Sequence, residues 1–326
     1  MNSFGRIFRV SVVGESHGEI VGVLIDGCPP GIKINQEDFL LDLERRKPKV
    51  VGTTPRKEDD VPMIKSGVYN GYSSGAPILI EIENKNKVSK DYDNLKSHYR
   101  PGHADFTAYN KYNGFNDPRG GGHFSGRLTA ALVVAGVIAK KIIPHVEIKA
   151  NIEYVGGLKD YKQLVENTSE AGDSLGGIVY CEVNNLPIGI GEPFFDSLES
   201  VISHLVFSIP AVKGIEFGRG FQSANIYGSE MNDIIIDSLG TSKTNNAGGI
   251  NGGISNGNTL YFRVAIKPAS SIAITQQTYN SKTKQVEELE IKGRHDSAIV
   301  LRVPPVLEAV TAIALTDLMF LAKLYS

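Results

Sequence analysis

Four short segments of this chain carry side chains able to grip anions or move protons. Arg100 and His103 stand three residues apart, with Asp105 two further on. The chain then passes through Gly120-Gly121-Gly122 to His123, Ser125 and Arg127. Upstream, His17 lies in Gly14-Glu15-Ser16-His17-Gly18; downstream, Gly293 precedes Arg294-His295-Asp296. Arg45, Arg46, Arg100, Arg119, Arg127 and Arg294 all adjoin a glycine, a proline or an expected helix end. Arginine suits bidentate recognition of carboxylate and phosphate. In a chain of formal net charge −2, this set points to a small, multiply anionic guest rather than to a basic surface. Histidines and an aspartate beside such a guest permit proton transfer on both of its sides. Each residue also has a plainer reading. His17 could be satisfied within its turn, the His103–Asp105 pair could be a local cap, and Arg45 and Arg46 could only complement a helix dipole.

The elements that must hold these groups are legible in outline. Ser125 is placed to cap a helix, and Leu128 to Ala139 has almost no polar face, so that helix is expected to be buried all round. Its N-terminal end would bring free N–H groups and a positive dipole to the glycine loop, which is how an anion site is built. A second mostly apolar helix follows Pro304-Pro305 and runs to about Leu324. Phe8–Val13, Ile20–Ile25, Glu147–Val155, Gly177–Val183, Thr259–Ile266 and Ala298–Val303 read as strands, and Gly67–Ile82 as strand, turn at Tyr72–Gly75, strand. Asn35 can cap a helix Gln36–Arg46, and Ser197–Ile209 reads as amphipathic helix. Lys49–Val61 reads as a mobile polar loop and Lys85–Ser97 as a charged connector. Two apolar helices, each beside an Arg/His cluster, suggest an internal duplication.

Composition excludes several classes. The near-neutral balance argues against general nucleic-acid or membrane-surface binding. Cys28 and Cys181 form no disulfide framework, which makes a reducing cytoplasm the default. No signal-peptide pattern opens the chain and no 18-residue run is wholly apolar. Gly218-Arg219-Gly220 lacks the helix and acid of a dinucleotide fingerprint. His98, His103 and His123 lie close in sequence, but without an H-E-x-x-H or C-x-x-C motif zinc is the weaker reading. The residues alone lead to an anion site with acid–base groups and no further.

The same residues resemble the chorismate synthase family over nearly the whole chain, here a single domain of 1–326. The resemblance is carried by Gly14–Gly18, Arg100–Asp105, Gly121–Arg127, Lys267–Ser271 and Arg294–Asp296, running on through Pro304, Pro305 and Glu308. It implies an α+β fold, a β-α-β sandwich with long central helices between two antiparallel sheets, and assembly as a homotetramer. The implied reaction is trans-1,4-elimination of phosphate from 5-enolpyruvylshikimate 3-phosphate to chorismate, dependent on reduced FMN without net redox change. His103 would protonate the reduced flavin, His17 the departing phosphate, and Asp296 would take the ring proton together with the flavin. Arg45, Arg46, Arg100, Arg127 and Arg294 would bind substrate. His123, Phe124, Ser125, Ala211, Gly252, Lys267, Pro268, Ala269, Ser270, Ser271 and Arg294 would contact FMN. Arg46 would also meet NADPH, the indirect reductant, with a separate flavin reductase as the alternative source of reduced flavin. His123, Gly52 and Pro210 stand where the family often has arginine, arginine and an amide.

Overall fold

Helices without a polar face need cover on every side, and two antiparallel sheets supply it. The computed structural model describes residues 1–48, 52–53, 59–85, 97–291 and 296–323. The first sheet contains β1 (Ser3–Phe4), β2 (Arg9–Gly14), β3 (Ile20–Asp26) and β4 (Pro62–Ile64); after a hairpin of β5 (Val68–Tyr69) and β6 (Tyr72–Ser73), β7 (Ile78–Glu83) completes it. Its order is β1-β2-β3-β7-β4. The second contains β8 (Glu147–Val155), β9 (Gly177–Asn184), β10 (Val212–Phe217) and, past the small hairpin β11 (Ile250–Asn251)–β12 (Ile254–Ser255), β13 (Leu260–Ile266). Its order is β10-β13-β9-β8, and a separate hairpin joins β14 (Gln276–Asn280) to β15 (Gln285–Leu289). The helices are α1 (Leu40–Arg46), α2 (Asp105–Lys111), α3 (Thr129–Ile142), α4 (Lys162–Glu170), α5 (Leu198–Val206), α6 (Gly228–Met231) and α7 (Pro304–Ala322).

Strand alternation decides which faces turn inward. Val21, Val23 and Ile25 of β3 and Ile78, Ile80 and Ile82 of β7 are buried on the face that α3 covers. Val179, Cys181 and Val183 of β9, with Leu260, Phe262, Val264 and Ile266 of β13, form the inner face of the second sheet, against which α7 lies. The layers therefore run sheet, α3, α7, sheet. Each long helix backs its own antiparallel sheet, as an internal duplication would arrange, although the two strand orders differ.

The two helices meet almost backbone to backbone at Gly136. A Cβ there would lie 2.3 Å from the Ala309 Cβ and 2.4 Å from its Cα. Gly136→Val is expected to force the layers apart and cost about 1–3 kcal/mol or more. Urea unfolding should show a lower midpoint with an unchanged m-value.

The polar residues inside α7 are all partnered. Thr311 and Thr316 give their hydroxyls to Leu307 and Ala312 carbonyls, one turn back. Glu308 accepts from Arg45, Lys140 and the Ala150 N–H. Asp317 accepts the backbone N–H groups of Arg6, Ile7 and Phe8. By length and a mean hydropathy of 1.7, α7 could cross a bilayer, a property that Glu308 and Asp317 hide from a search for unbroken apolar runs. Its place between the sheets makes it a core helix and not a membrane span.

Several local expectations change. Ala298–Val303 is no strand: Ile299–Arg302 is a 3₁₀ turn whose N–H groups close on Ala298 and Val300 carbonyls, while the Ala298 N–H reaches Gly52. Gln36–Phe39 is likewise 3₁₀ before α1 begins. The tight turn between β5 and β6 falls at Asn70-Gly71, both at positive φ, the pairing that suits a two-residue hairpin. Helices α2 and α4 lack an apolar stripe, with one buried residue each, and periodicity did not reveal them. Most of the expected polar loop and of the charged connector (49–51, 54–58 and 86–96) lies outside the described residues.

Candidate active site

The triple glycine is the spacer between two histidines from distant parts of the chain. Gly120, Gly121 and Gly122 have φ of +59°, +86° and +53°, values that favour glycine. A Cβ on Gly120 would come within 2.5 Å of the His17 ring, and one on Gly121 would touch His103 Cε1 and Nε2 at 3.4 Å. The Gly122 carbonyl accepts the Ser16 N–H at 3.0 Å. Bare backbone thus separates His17, buried behind Gly120, from His103 at the front. Ser125 accepts the Arg127 N–H at 3.3 Å. It caps a 3₁₀ turn, Gly126–Leu128, that leads directly into α3.

Asp105 serves both readings open to it. Its Oδ2 accepts the Arg100 N–H and Nε, and its Oδ1 accepts Arg100 Nη2 and His103 Nδ1, the last at 2.6 Å. A carboxylate can only accept, so His103 Nδ1 carries the hydrogen and Nε2 is the atom beside Gly121. Burial opposes the Asp105 charge, but hydrogen bonds from Arg100 and His103 outweigh it and hold the carboxyl well below the usual carboxylate range. Arg100 Nη1 continues to Ser271 Oγ at 3.2 Å. Next to it, Lys267 Nζ donates to Ser270 Oγ at 2.6 Å and to the Gly102 carbonyl at 3.1 Å. Burial, with Lys213 nearby, pulls the Lys267 ammonium below its ordinary value. No carboxylate within 4.0 Å pairs with it among the described residues.

The arginines divide. Arg127 donates to Asp60 in a short contact and to Asn84 Oδ1 at 3.0 Å. Arg46 donates to the other Asp60 oxygen at 2.8 Å and is only 2% exposed. Arg45 points elsewhere, making a two-pronged pair with Glu308 at 2.6 and 2.7 Å and a further bond to Asp42. Arg119 closes on Asp117. Arg302, unremarked in the sequence, donates to Asp296 Oδ2 and to the Arg46 carbonyl, each at 3.0 Å.

A cavity of about 690 Å³ gathers most of these groups. Ser16, Arg100, His103, His123, Phe124, Ser125, Arg127, Ala211, Lys267 through Ser271, Asp296 and Arg302 all line it. His123 spans from the Gly14 carbonyl (Nδ1, 2.8 Å) to Asn2 Oδ1 (Nε2, 3.1 Å). Arg45 and Arg46 do not reach the lining, and neither does Gly252, which turns the β11–β12 hairpin. Arg294 lies outside the described residues. At and just behind the cavity wall, Arg46, Arg100, Arg127 and Arg302 pair with the carboxylates Asp60, Asp105 and Asp296, and Lys267 adds a further cation. The surplus is positive, as a site for a multiply charged anion requires. Of the residues that sequence reasoning missed, Arg302 carried a faint signal: a lone arginine between Asp296 and Pro304-Pro305. Asp60 and Asn84 carried none, for each looked like ordinary loop polarity.

The sequence model of the family described as "Chorismate synthase" matches residues 8–320. The chain belongs to the chorismate synthase family. It is 62% identical over 324 residues to a chorismate synthase of Chitinophaga pinensis, covering 99% of this chain and 98% of that one. It is 45% identical to one of Dehalococcoides mccartyi, covering 97% and 96%. A crystal structure of chorismate synthase superposes with a TM-score of 0.75 at 26% identity over 97% of this chain and 93% of that one. Chorismate synthases are phosphate-eliminating lyases, and the α+β sandwich found here is the architecture of that solved relative.

Proposed function

We propose that this chain carries out the family reaction in the cavity between Gly120–Arg127, Gly102–Ala104 and Lys267–Ser271, using reduced FMN. The observation that supports it most is the meeting of Arg100, His103, Arg127, Lys267 and Asp296 in one cavity from segments far apart in sequence. The residues fit the cofactor: Lys267, Ser270, Ser271 and Arg100 offer a cation, hydroxyls and a guanidinium to a phosphate monoester. Phe124, Pro210 and Ala211 give an apolar wall, and the volume is in the range of cofactor sites. When bound, reduced FMN supplies electron density at the breaking C–O bond, with no net redox change.

In the reaction a ring C–H bond and the C–O bond to phosphate break, a second ring double bond forms, and phosphate leaves with the C–O electron pair. Asp296 accepts the proton, oriented by Arg302. Arg127 and Arg100 offset phosphate and carboxylate charge in a site partly shielded from water, where such contacts are strongest. His17, to which the family resemblance gives the leaving phosphate, stands behind Gly120 and does not line the cavity. His103, its Nδ1–H given to Asp105, turns Nε2 toward the cavity, where that nitrogen can take up and pass on a proton. Arg302→Gln removes one charged bond to Asp296, and turnover should fall about 10- to 100-fold, as 1.5–3 kcal/mol implies, with FMN affinity unchanged; steady-state rates checked against a flavin titration decide it.

We further propose a cytoplasmic homotetramer whose flavin is kept reduced by NADPH or by a separate flavin reductase. The experiment that tests the function is anaerobic phosphate release from 5-enolpyruvylshikimate 3-phosphate with dithionite-reduced FMN. Folded protein that binds FMN but releases no phosphate would be a flavin- or anion-binding protein instead.

A further inference from the structure

Behind the cavity wall, one carboxylate is shared by two guanidinium groups. The Asp60 side chain is completely buried, and so, within a few per cent, are those of Arg46 and Arg127. One Asp60 oxygen takes Arg46 Nη2 at 2.8 Å and the other takes Arg127 Nη1 in a still closer contact. Arg127 is steadied from a second side by Asn84 (3.0 Å), and Arg46 lies 3.4 Å from Thr129 Oγ1 in the first turn of α3. Only Arg127 of the three lines the cavity. Asp60 itself sits at φ +32°, a conformation few non-glycine residues adopt and one that the surroundings must enforce. Burial opposes its charge, but the charges of Arg46 and Arg127 outweigh burial, and the carboxyl stays below its ordinary range.

We propose that Asp60 is the positioning residue of the anion site: it sets the reach of Arg127 into the cavity, and Arg46 acts on the ligand only through it. Asp60 thus places one negative charge between two positive ones. Each alternative makes a different forecast. Were Asp60 merely a counter-charge, its removal would leave more positive charge and tighten anion binding. Were it merely a strut, its removal would lower stability while folded protein bound anions as before. Positioning alone predicts weaker anion binding in spite of the added positive charge.

The proposal rests on the reading of this cavity as the anion site of the lyase reaction, and the test separates the two. The full chain, Asp60→Asn, the charge-balanced double variant Asp60→Asn with Arg46→Gln, and Arg127→Gln would each be titrated with inorganic phosphate. Thermal stabilisation is the readout. The expected result is a half-saturating phosphate concentration about tenfold higher in Asp60→Asn, the loss of one charged hydrogen bond. The double variant should show the same weakening but recover most of the lost melting temperature, which keeps the test alive if the single variant fails to fold. Flavin affinity should stay within about twofold, and KM should rise more than kcat falls. Phosphate affinity that is unchanged or tighter in either variant overturns the proposal, as does wild-type protein that phosphate does not stabilise. Wild type that binds phosphate but never turns over overturns the lyase reading alone.

Discussion

Glu308→Ala is expected to lower stability by about 1–3 kcal/mol, the cost of removing a buried acceptor from its donors. Glu308 is 4% exposed. It joins four elements, taking Arg45 from α1, Lys140 from α3 and the Ala150 N–H from β8 onto a residue of α7. Its loss leaves Arg45 and Lys140 with Asp42 alone and leaves the Ala150 N–H without its acceptor. Chemical denaturation would measure it, and a change below about 1 kcal/mol would mean that water or Asp42 takes over its contacts. Burial pushes the Glu308 carboxyl up, but the Arg45 hydrogen bonds and the Lys140 charge outweigh that and leave it lowered. A lowered carboxylate contributes stability above its unfolded pKa, about 4.3, and loses it as pH falls through the folded value. Wild type should therefore weaken on acidification below about pH 4, and Glu308→Gln should flatten that limb.

The second large effect is expected at His103. His103→Ala should reduce turnover by about 10²- to 10⁴-fold, the usual contribution of a positioned acid or base, while FMN affinity falls little. Asp105→Asn tests the same point through the ring's partner. An amide can offer Nδ1 a donor in place of an acceptor, so the ring can reverse its tautomer and carry its hydrogen on Nε2, beside Gly121, in place of Nδ1. A variant that folds and turns over normally would remove His103 from the chemistry. The Asp105 carboxyl is lowered for the reasons given above, so it too stabilises the fold at neutral pH and ceases to do so in acid.

What could be read in advance follows a physical division. Alternation in Val21–Ile25 and the unbroken apolar surface of Leu128–Ala139 report burial directly, so sheets and central helices are legible in the sequence. The glycines at 120–122 announced close backbone approach, and the rings of His17 and His103 are what approaches. The partners of charges were not visible, because an ion pair is a long-range fact that leaves no local periodicity. Arg45 and Arg46 are adjacent and looked equivalent, yet one faces Glu308 and the other Asp60, since successive positions on a helix point about 100° apart. Arg302 was overlooked because a run of Ile, Val and Leu suggested a strand, whereas Pro304 two residues on imposes a turn.

The clamp at Asp317 has a consequence for biogenesis. Its carboxylate gathers the N–H groups of Arg6 to Phe8 across a separation of 311 residues. The link Arg6–Phe8 between β1 and β2 therefore cannot be clamped until α7 has left the ribosome and docked. Closure over so long a span is entropically slow, so Arg6–Phe8 should stay open to proteases and chaperones until Asp317 has been synthesised and α7 has docked.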